Sequence, residues 1–153
     1  MIAVPNPARL AAVLAGLWAG VLLAIGALAA PAVFAVAPHD VAGRIVGRIF
    51  MQEAYASLAV AMLLFIVLRQ QAQTRAERKL GSVFSADMLL ALGALFLTVT
   101  GYFALQPIMQ AARTGQGALS FGALHGLSAA AFGMKGLLVL ALAWRLQPLP
   151  AAR

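Results

Sequence analysis

The sequence contains four long apolar stretches, each of about the length that crosses a lipid bilayer as a helix. They cover residues 10–37, 49–68, 87–105 and 119–144, and the first carries no charged side chain. None alternates with a period of two as barrel strands do, and backbone groups in lipid need internal hydrogen bonds. The stretches therefore predict an all-α fold: a polytopic integral membrane protein with a four-transmembrane-helix bundle, built as a single membrane domain over residues 1–153.

Composition excludes the main soluble classes. Of 153 residues, 63% are hydrophobic and 10% are charged, which is more apolar surface than a soluble core of this size can hide. The absence of cysteine rules out disulfides, thiolate metal sites and thiol catalysis. The formal net charge of +7 suggests nucleic acid only in a soluble protein, and no basic face here is interleaved with aromatic residues. The expected partner is the lipid bilayer rather than nucleic acid.

The distribution of basic residues predicts the topology. Seven lie near the termini or between the second and third stretches, against three on the other side. Because basic residues accumulate in cytoplasmic segments, both termini and the loop at about residues 70–84 are expected in the cytoplasm, and the membrane is expected to be a bacterial inner membrane. The seven are Arg9, Arg69, Arg75, Arg78, Lys79, Arg145 and Arg153, and the three are Arg44, Arg48 and Arg113.

Several residues predict local features of the helices. Pro31 predicts a bend in the first span, because proline removes a helical donor and clashes with the preceding turn. Ser85 predicts the N-cap of the third helix, and Pro107 predicts its end. Gly122 and Gly126 form a small-xxx-small pattern, which predicts a close contact between the fourth span and another helix.

Ionisable residues inside a span are costly and suggest a function. Lys135 and Asp87 are predicted to lie at comparable depth and to pair, either fixing the register of two helices or relaying protons or ions. Glu53 is placed at the outer start of the second span, as a solvated interfacial carboxylate or in contact with Arg48 or His125. His125 and Ser128 share a helical face with Lys135, so they are expected in the bundle interior.

Cofactor chemistry has little support in the sequence. No cofactor is predicted, because no metal motif, phosphate-binding loop, dinucleotide fingerprint or nucleophile elbow occurs. Haem or copper remains an alternative with His125 and His39 as ligands, since both are placed on the outer side. No convergent catalytic motif is present, so the protein is not expected to be an enzyme.

The order and spacing of short motifs carry a resemblance to a known family. The strongest motif is the His-Gly-x-Ser group that opens the core of the last helix. The motifs are Gly16–Gly20, Pro31–Phe34, Pro38-His39, Ala42-Gly43, Gly47–Phe50, Leu105–Pro107 and Leu124–Ser128. In these the chain resembles the transmembrane protein 205-like family, which implies a four-helix membrane protein and no established chemistry.

The resemblance favours certain residues as functional, and this chain departs from the family pattern at two positions. It favours Pro31, Phe34, Pro107 and Gly126, together with His125 and Ser128, as residues to test. Relatives often carry glutamate where this chain has Gln106 and asparagine where it has Phe132. The resemblance therefore implies that any chemistry needing those two groups is missing here.

Three functions are compatible with the sequence. The first is transport of, or tolerance to, a small solute, ion or metal. In this interpretation the protein works as an oligomer, and polar side chains line the path of the solute. The second is a non-enzymatic accessory or scaffold subunit of a homo-oligomer or larger membrane complex, since small-residue faces suit helix association. The third is a haem- or metal-binding redox protein using His125. The polar side chains of the first interpretation are His125, Ser128, Lys135, Asp87 and Glu53.

Overall fold

A computed structural model describes residues 6–147, and over that range the chain is helical with no strand. The all-α prediction is confirmed: within this range, four helices are long and apolar enough to cross a membrane. Arg153, which contributed to the predicted topology, lies outside the described residues. The four spans are span 1 at Pro7–Val36, span 2 at His39–Glu77, span 3 at Ala86–Arg113 and span 4 at Phe121–Arg145.

The observed helices extend beyond the predicted apolar stretches into segments that contain charged residues. Span 2 is a single α-helix, α3, that begins at His39 rather than near residue 49 and ends at Glu77. Most of the predicted loop at residues 70–84 is therefore helical, and the connection to span 3 is short. Ser85 is the N-cap of span 3 as predicted, because its Oγ accepts a hydrogen bond from the backbone N–H of Met88 at 3.2 Å.

Spans 1 and 3 are each divided by a segment of π-helix that precedes a proline. Span 1 consists of α1 (Pro7–Leu23), a first π segment (Ala24–Ala29) and α2 (Ala30–Val36). Span 3 consists of α4 (Ala86–Thr98), a second π segment (Val99–Ala104) and α5 (Leu105–Arg113). Span 4 is one helix, α6 (Phe121–Arg145).

The prolines account for the position of the π segments. A proline ring clashes with the carbonyl four residues earlier, and that residue lies in a π segment for both Pro31 and Pro107. The wider π turn moves this carbonyl aside, since its hydrogen bonds join residues five apart. The predicted helix end at Pro107 is therefore wrong: span 3 continues beyond this residue to Arg113.

The spans form a bundle in which sequential helices are neighbours. Span 1 packs against spans 2 and 4, and span 3 packs against the same two spans. Spans 2 and 4 therefore occupy opposite corners of the bundle. Any direct contact between a side chain of span 2 and a side chain of span 4 therefore crosses the centre of the bundle.

One half of the bundle is tightly packed. We call it the packed half; it lies next to the connection between spans 2 and 3. Its core is a single cluster of small and aliphatic side chains together with one tryptophan. The buried members are Ala11, Ala15, Trp18, Ala19, Leu22, Ala61, Leu64, Leu68, Ala72, Met88, Ala91, Ala94, Val139, Leu142 and Ala143.

Candidate functional site

A buried ion pair crosses the centre of the bundle. The Lys135 Nζ of span 4 lies 2.8 Å and 2.9 Å from the two carboxylate oxygens of Glu53 in span 2. The Lys135 and Glu53 side chains are only 4% and 3% exposed. At 1.5 Å per residue, Glu53 lies about 21 Å along its helix from His39, and Lys135 lies about 21 Å from Phe121. Both charges therefore lie about four turns inside the ends of their helices at His39 and Phe121.

Hydrogen bonds extend the ion pair into span 1. Ser57 lies one turn after Glu53 on the same face of α3, and its hydroxyl donates to the Glu53 Oε1. Trp18 of span 1 donates from its indole Nε1 to the Ser57 Oγ at 2.7 Å. This network joins spans 1, 2 and 4. It also provides the carboxylate with one donor in addition to the ammonium, the Ser57 hydroxyl, and a buried charge needs such partners.

Aromatic rings surround the ammonium of the pair. The Lys135 Nζ lies 4.9 Å from the centroid of the Phe132 ring, one turn earlier on span 4. Phe132 in turn makes an edge-to-face contact with Phe50 of span 2 at 4.9 Å. A cation near the face of an aromatic ring is stabilised by the ring quadrupole. These rings therefore form the wall immediately beside the ion pair.

A large cavity extends from the ion pair towards the opposite end of the bundle from the packed half. We call this part of the bundle the hollow half. The cavity volume is about 830 Å³, and all four spans contribute to its lining. The lining residues are Gly26, Ala30, Phe34, His39, Asp40, Gly43, Val46, Gly47, Phe50, Glu53, Leu97, Thr98, Gly101, Tyr102, Gln106, Met109, Arg113, Phe121, His125, Ser128, Ala129, Phe132 and Lys135.

Glycines of span 2 leave space for the cavity. A Cβ placed on Gly43 or Gly47 would meet no atom within 4 Å, although both residues line the cavity. Gly26 is different, because a Cβ there would lie 3.1 Å from the Phe132 ring. The Gly43–Gly47 spacing therefore does not mark a helix contact within the chain. It enlarges the cavity.

The far end of the cavity, its mouth, carries a stack of three planar groups. The Arg113 guanidinium carbon lies 4.6 Å from the centroid of the Phe121 ring. Phe121 stacks on His125 at 5.8 Å, with an angle of 15° between the rings. His39 packs against Phe34 at 5.0 Å on the span 1 side. The cavity is thus charged at its base, and its mouth combines aromatic rings with an arginine.

Two hydroxyls on the cavity wall already donate hydrogen bonds to backbone carbonyls. The Ser128 Oγ donates to the Gly101 carbonyl of span 3 at 2.9 Å. The Thr98 Oγ1 donates to the Ala94 carbonyl on its own helix, also at 2.9 Å. Ser128 is half-buried and joins spans 3 and 4, whereas His125, which was expected in the bundle interior with it, is exposed where it lines the cavity.

The predicted pairing of Lys135 with Asp87 is wrong. Asp87 lies in the first turn of span 3, and its Oδ1 accepts from the Nε of Arg145 at 2.6 Å, at the end of the packed half. The expected interfacial position of Glu53 is also wrong, because α3 begins ten residues before the predicted span and places this carboxylate in mid-helix. The proposed contacts of Glu53 with Arg48 or His125 are replaced by the bond to Lys135.

The predicted close contact at Gly122 and Gly126 is also wrong within this chain. A Cβ on either residue would meet no atom within 4 Å, so no neighbouring helix approaches there. The tight contact with span 4 is at Gly101, where a Cβ would lie 2.8 Å from the Ala131 Cβ. Of five positions that the family resemblance singled out, Phe34 and Gln106 line the cavity, and the other three are Pro31, Pro107 and Gly126.

The two histidines proposed as metal ligands, His39 and His125, both line the cavity. Across residues 6–147, no group of three or more His, Asp or Glu side chains could hold a metal ion. Haem or copper ligation by this pair of histidines therefore stays a prediction.

Sequence reasoning overlooked three residues of the site. Ser57 follows Glu53 by four residues, so the helical period could have placed it beside the carboxylate. Trp18 was noticed only as part of a motif, and Arg113 only as a charge in the topology. For Trp18 and Arg113, no local pattern indicates the partner, because their contacts join different spans.

Comparison with known proteins gives one result. The family model described as "Domain of unknown function (DUF4149)" matches residues 13–118. The matched region includes Trp18, Glu53 and Ser57 but ends before span 4, so Lys135 and His125 lie beyond it. No curated protein and no solved structure matches the chain. Because the match covers more than half of the sequence, the chain belongs to the DUF4149 family, whose domain has no known function.

Proposed function

We propose that the protein is a membrane transport protein that binds a small solute in the cavity of its hollow half. One observation carries this proposal: a cavity of about 830 Å³ ends, well inside two of the spans, on the buried Glu53–Lys135 ion pair. Ligand sites typically have volumes of about 300–1,000 Å³. Ionisable groups within spans mark solute and proton pathways, because their burial is otherwise costly.

The packed half supports a mechanism in which access alternates. Within residues 6–147, none of the buried side chains of the packed half lines the cavity. A solute that reaches Glu53 and Lys135 therefore leaves on the other side only after the helices move. The π segments at Ala24–Ala29 and Val99–Ala104 are suitable places for such movement, since π-helical turns are weak points that occur often at functional sites.

We further infer the orientation and the finer family assignment. The hollow half faces the outside of a bacterial inner membrane, and the termini and the short connection after span 2 are cytoplasmic. Support comes from the basic residues Arg69, Arg75, Arg78 and Lys79 at that connection. The spacing of the motifs around Pro31 and His125 supports a relationship to the transmembrane protein 205-like family.

Uptake into proteoliposomes tests the transport proposal. We would measure the entry of labelled glycerol, lactate and choline, which are neutral, anionic and cationic, into vesicles that contain the wild type or a variant. Gly47→Leu fills the cavity, because the added side chain enters open space in its lining. Gly20→Leu is the matched control, since Gly20 also faces open space but does not line the cavity.

The expected result is faster entry of at least one probe than in protein-free vesicles, with Gly20→Leu unchanged and Gly47→Leu reduced to the protein-free rate. The proposal fails if no probe enters faster than in protein-free vesicles. It also fails if Gly47→Leu and Gly20→Leu transport equally well.

A second candidate function, an accessory or scaffold subunit, is supported by one specific observation. Gly122, Gly126 and Gly133 of span 4 are exposed, and a Cβ on any of them would meet no atom within 4 Å. Such a surface allows another helix to approach closely in a homo-oligomer or larger complex. This function predicts that Gly126→Leu reduces cross-linking between copies or to a partner in membranes, while Gly20→Leu does not.

A further inference from the structure

Four charged residues line the cavity, the acidic Asp40 and Glu53 and the basic Arg113 and Lys135. Glu53 and Lys135 neutralise each other at the base. Asp40 is paired with Arg44 on the surface at 3.1 Å, and Arg44 does not line the cavity. Arg113 makes no ion pair within residues 6–147. The one lining charge without an ion-pair partner in this part of the chain is therefore positive, and it lies at the mouth.

The Arg113 guanidinium is held in a geometry that suits an anion. Its face lies over the Phe121 ring at 4.6 Å, and Phe121 is itself stacked on His125. Stacking occupies the face of a guanidinium and leaves the N–H donors at its edge available for a carboxylate or a similar planar anion. The stack also restricts the arginine side chain, which lowers the entropy lost when it binds a ligand.

The remainder of the cavity suits an apolar or aromatic body. Phenylalanine rings line it at Phe34, Phe50, Phe121 and Phe132. The Ser128 and Thr98 hydroxyls have already donated their hydrogens to backbone carbonyls, so they offer acceptors rather than donors to a ligand. The aromatic lining alone would also suit an organic cation. Because Arg113 makes no ion pair within residues 6–147, its positive charge opposes a cation at the mouth and favours an anion.

From these observations we infer that the solutes taken by the cavity are small organic anions with an apolar or aromatic body, whose anionic group binds Arg113 at the mouth. This inference names a solute class for the proposed transport function and rests on the cavity being its binding site. It assigns His125 a supporting position, in which its ring holds Phe121 and thereby Arg113. It does not require His125 to bind a metal.

Equilibrium binding to the purified protein in lipid nanodiscs tests the inference without requiring transport. The probes are benzoate and benzylammonium, which are similar in size and opposite in charge at neutral pH. Arg113→Gln removes the charge at the mouth. Arg48→Gln is the matched control, because it removes a positive charge in the same half of the bundle from an exposed residue that does not line the cavity and, within residues 6–147, makes no ion pair. Empty nanodiscs give the background for both probes.

We expect benzoate to bind at least tenfold more tightly than benzylammonium. We expect Arg113→Gln to weaken benzoate binding about tenfold or more and Arg48→Gln to leave it within about twofold. Tighter binding of benzylammonium, unchanged benzoate binding by Arg113→Gln, or no binding of benzoate above empty nanodiscs would each overturn the inference. If choline or glycerol enters vesicles but benzoate does not bind, the transport proposal is supported and the inference that the solutes are organic anions is wrong. If benzoate binds as expected but no probe is transported, the transport proposal fails alone.

Discussion

Substitution of Lys135 should destabilise the protein strongly unless Glu53 is changed at the same time. Lys135→Met keeps a long, unbranched side chain but removes the ammonium, and it leaves the Glu53 carboxylate buried with only the Ser57 hydroxyl as donor. Glu53→Gln alone likewise leaves the ammonium without its counter-charge. The double variant, which carries both Lys135→Met and Glu53→Gln, has no uncompensated buried charge at this site. It should therefore recover most of the free energy of unfolding that either single substitution loses.

The distances in the structure set the magnitude. Opposite charges 2.8 Å apart attract by about 6 kcal/mol at an effective dielectric constant of about 20. Much of this attraction is offset by the desolvation of both groups, so removal of one partner from a buried pair typically costs about 3–5 kcal/mol. We therefore expect either single substitution to lower the free energy of unfolding by about 3–5 kcal/mol, which changes the unfolding constant more than about a hundredfold. The coupling energy between the two sites should be about 3 kcal/mol or more.

The assay is reversible unfolding in mixed micelles with increasing amounts of denaturing detergent, followed by circular dichroism. Arg145→Gln is the control: it breaks the other ion pair between spans, with Asp87, but the arginine side chain is 51% exposed. We expect it to cost less than about 1 kcal/mol. If Lys135→Met is no more destabilising than Arg145→Gln, or if the double substitution costs the sum of the two single ones, the pair does not behave as a buried, coupled ion pair and the reasoning fails.

Three further predictions concern the tight contact, the tryptophan and the cofactor. Gly101→Ala should lower the free energy of unfolding by about 1–3 kcal/mol, because the added Cβ would lie 2.8 Å from the Ala131 Cβ of span 4. Gly16→Ala is the control and should be neutral or stabilising, because its Cβ would enter open space. The same detergent unfolding assay compares the two variants. Trp18→Phe should cost about 1–1.5 kcal/mol in the same assay through the lost bond to Ser57, and equal stability with the wild type would contradict that bond. The purified protein should show no stoichiometric haem absorption or bound copper; a cofactor that disappears in His125→Ala would instead favour the redox function.

The overall fold could be predicted because the bilayer imposes simple requirements on length and composition. All four spans were visible as apolar stretches, and Ser85 was identifiable as an N-cap from its residue type and position. The start of span 2 was missed because α3 begins among charged residues such as Asp40 and Arg44. That error displaced Glu53 from mid-helix to the membrane interface, and its partner was lost as a result.

The site could not be predicted because its contacts depend on the rotation of each helix and on the arrangement of the helices. Glu53 and Lys135 are 82 residues apart and meet across the diagonal of the bundle. Estimates of depth compare positions along the membrane normal, but they do not determine which faces oppose each other. The depth estimate was also wrong for Asp87, which lies at the end of the bundle beside Arg145, ten residues along span 4 from Lys135.

The π segments also determine how this chain tolerates gains and losses of single residues. A π turn amounts to one residue inserted into an α-helix, and each residue of an α-helix rotates the chain by about 100°. Deletion of one residue from Val99–Ala104 would restore a regular helix and leave the later side chains of span 3 close to their present orientation, because the wide π turn absorbs the extra residue within one rotation. Deletion of one residue from the regular helix α4 would instead turn Gln106 and Arg113 by about 100° relative to the residues before the deletion. The second π segment is therefore the place in span 3 where the chain can lose a residue without rotating the cavity lining away from the cavity.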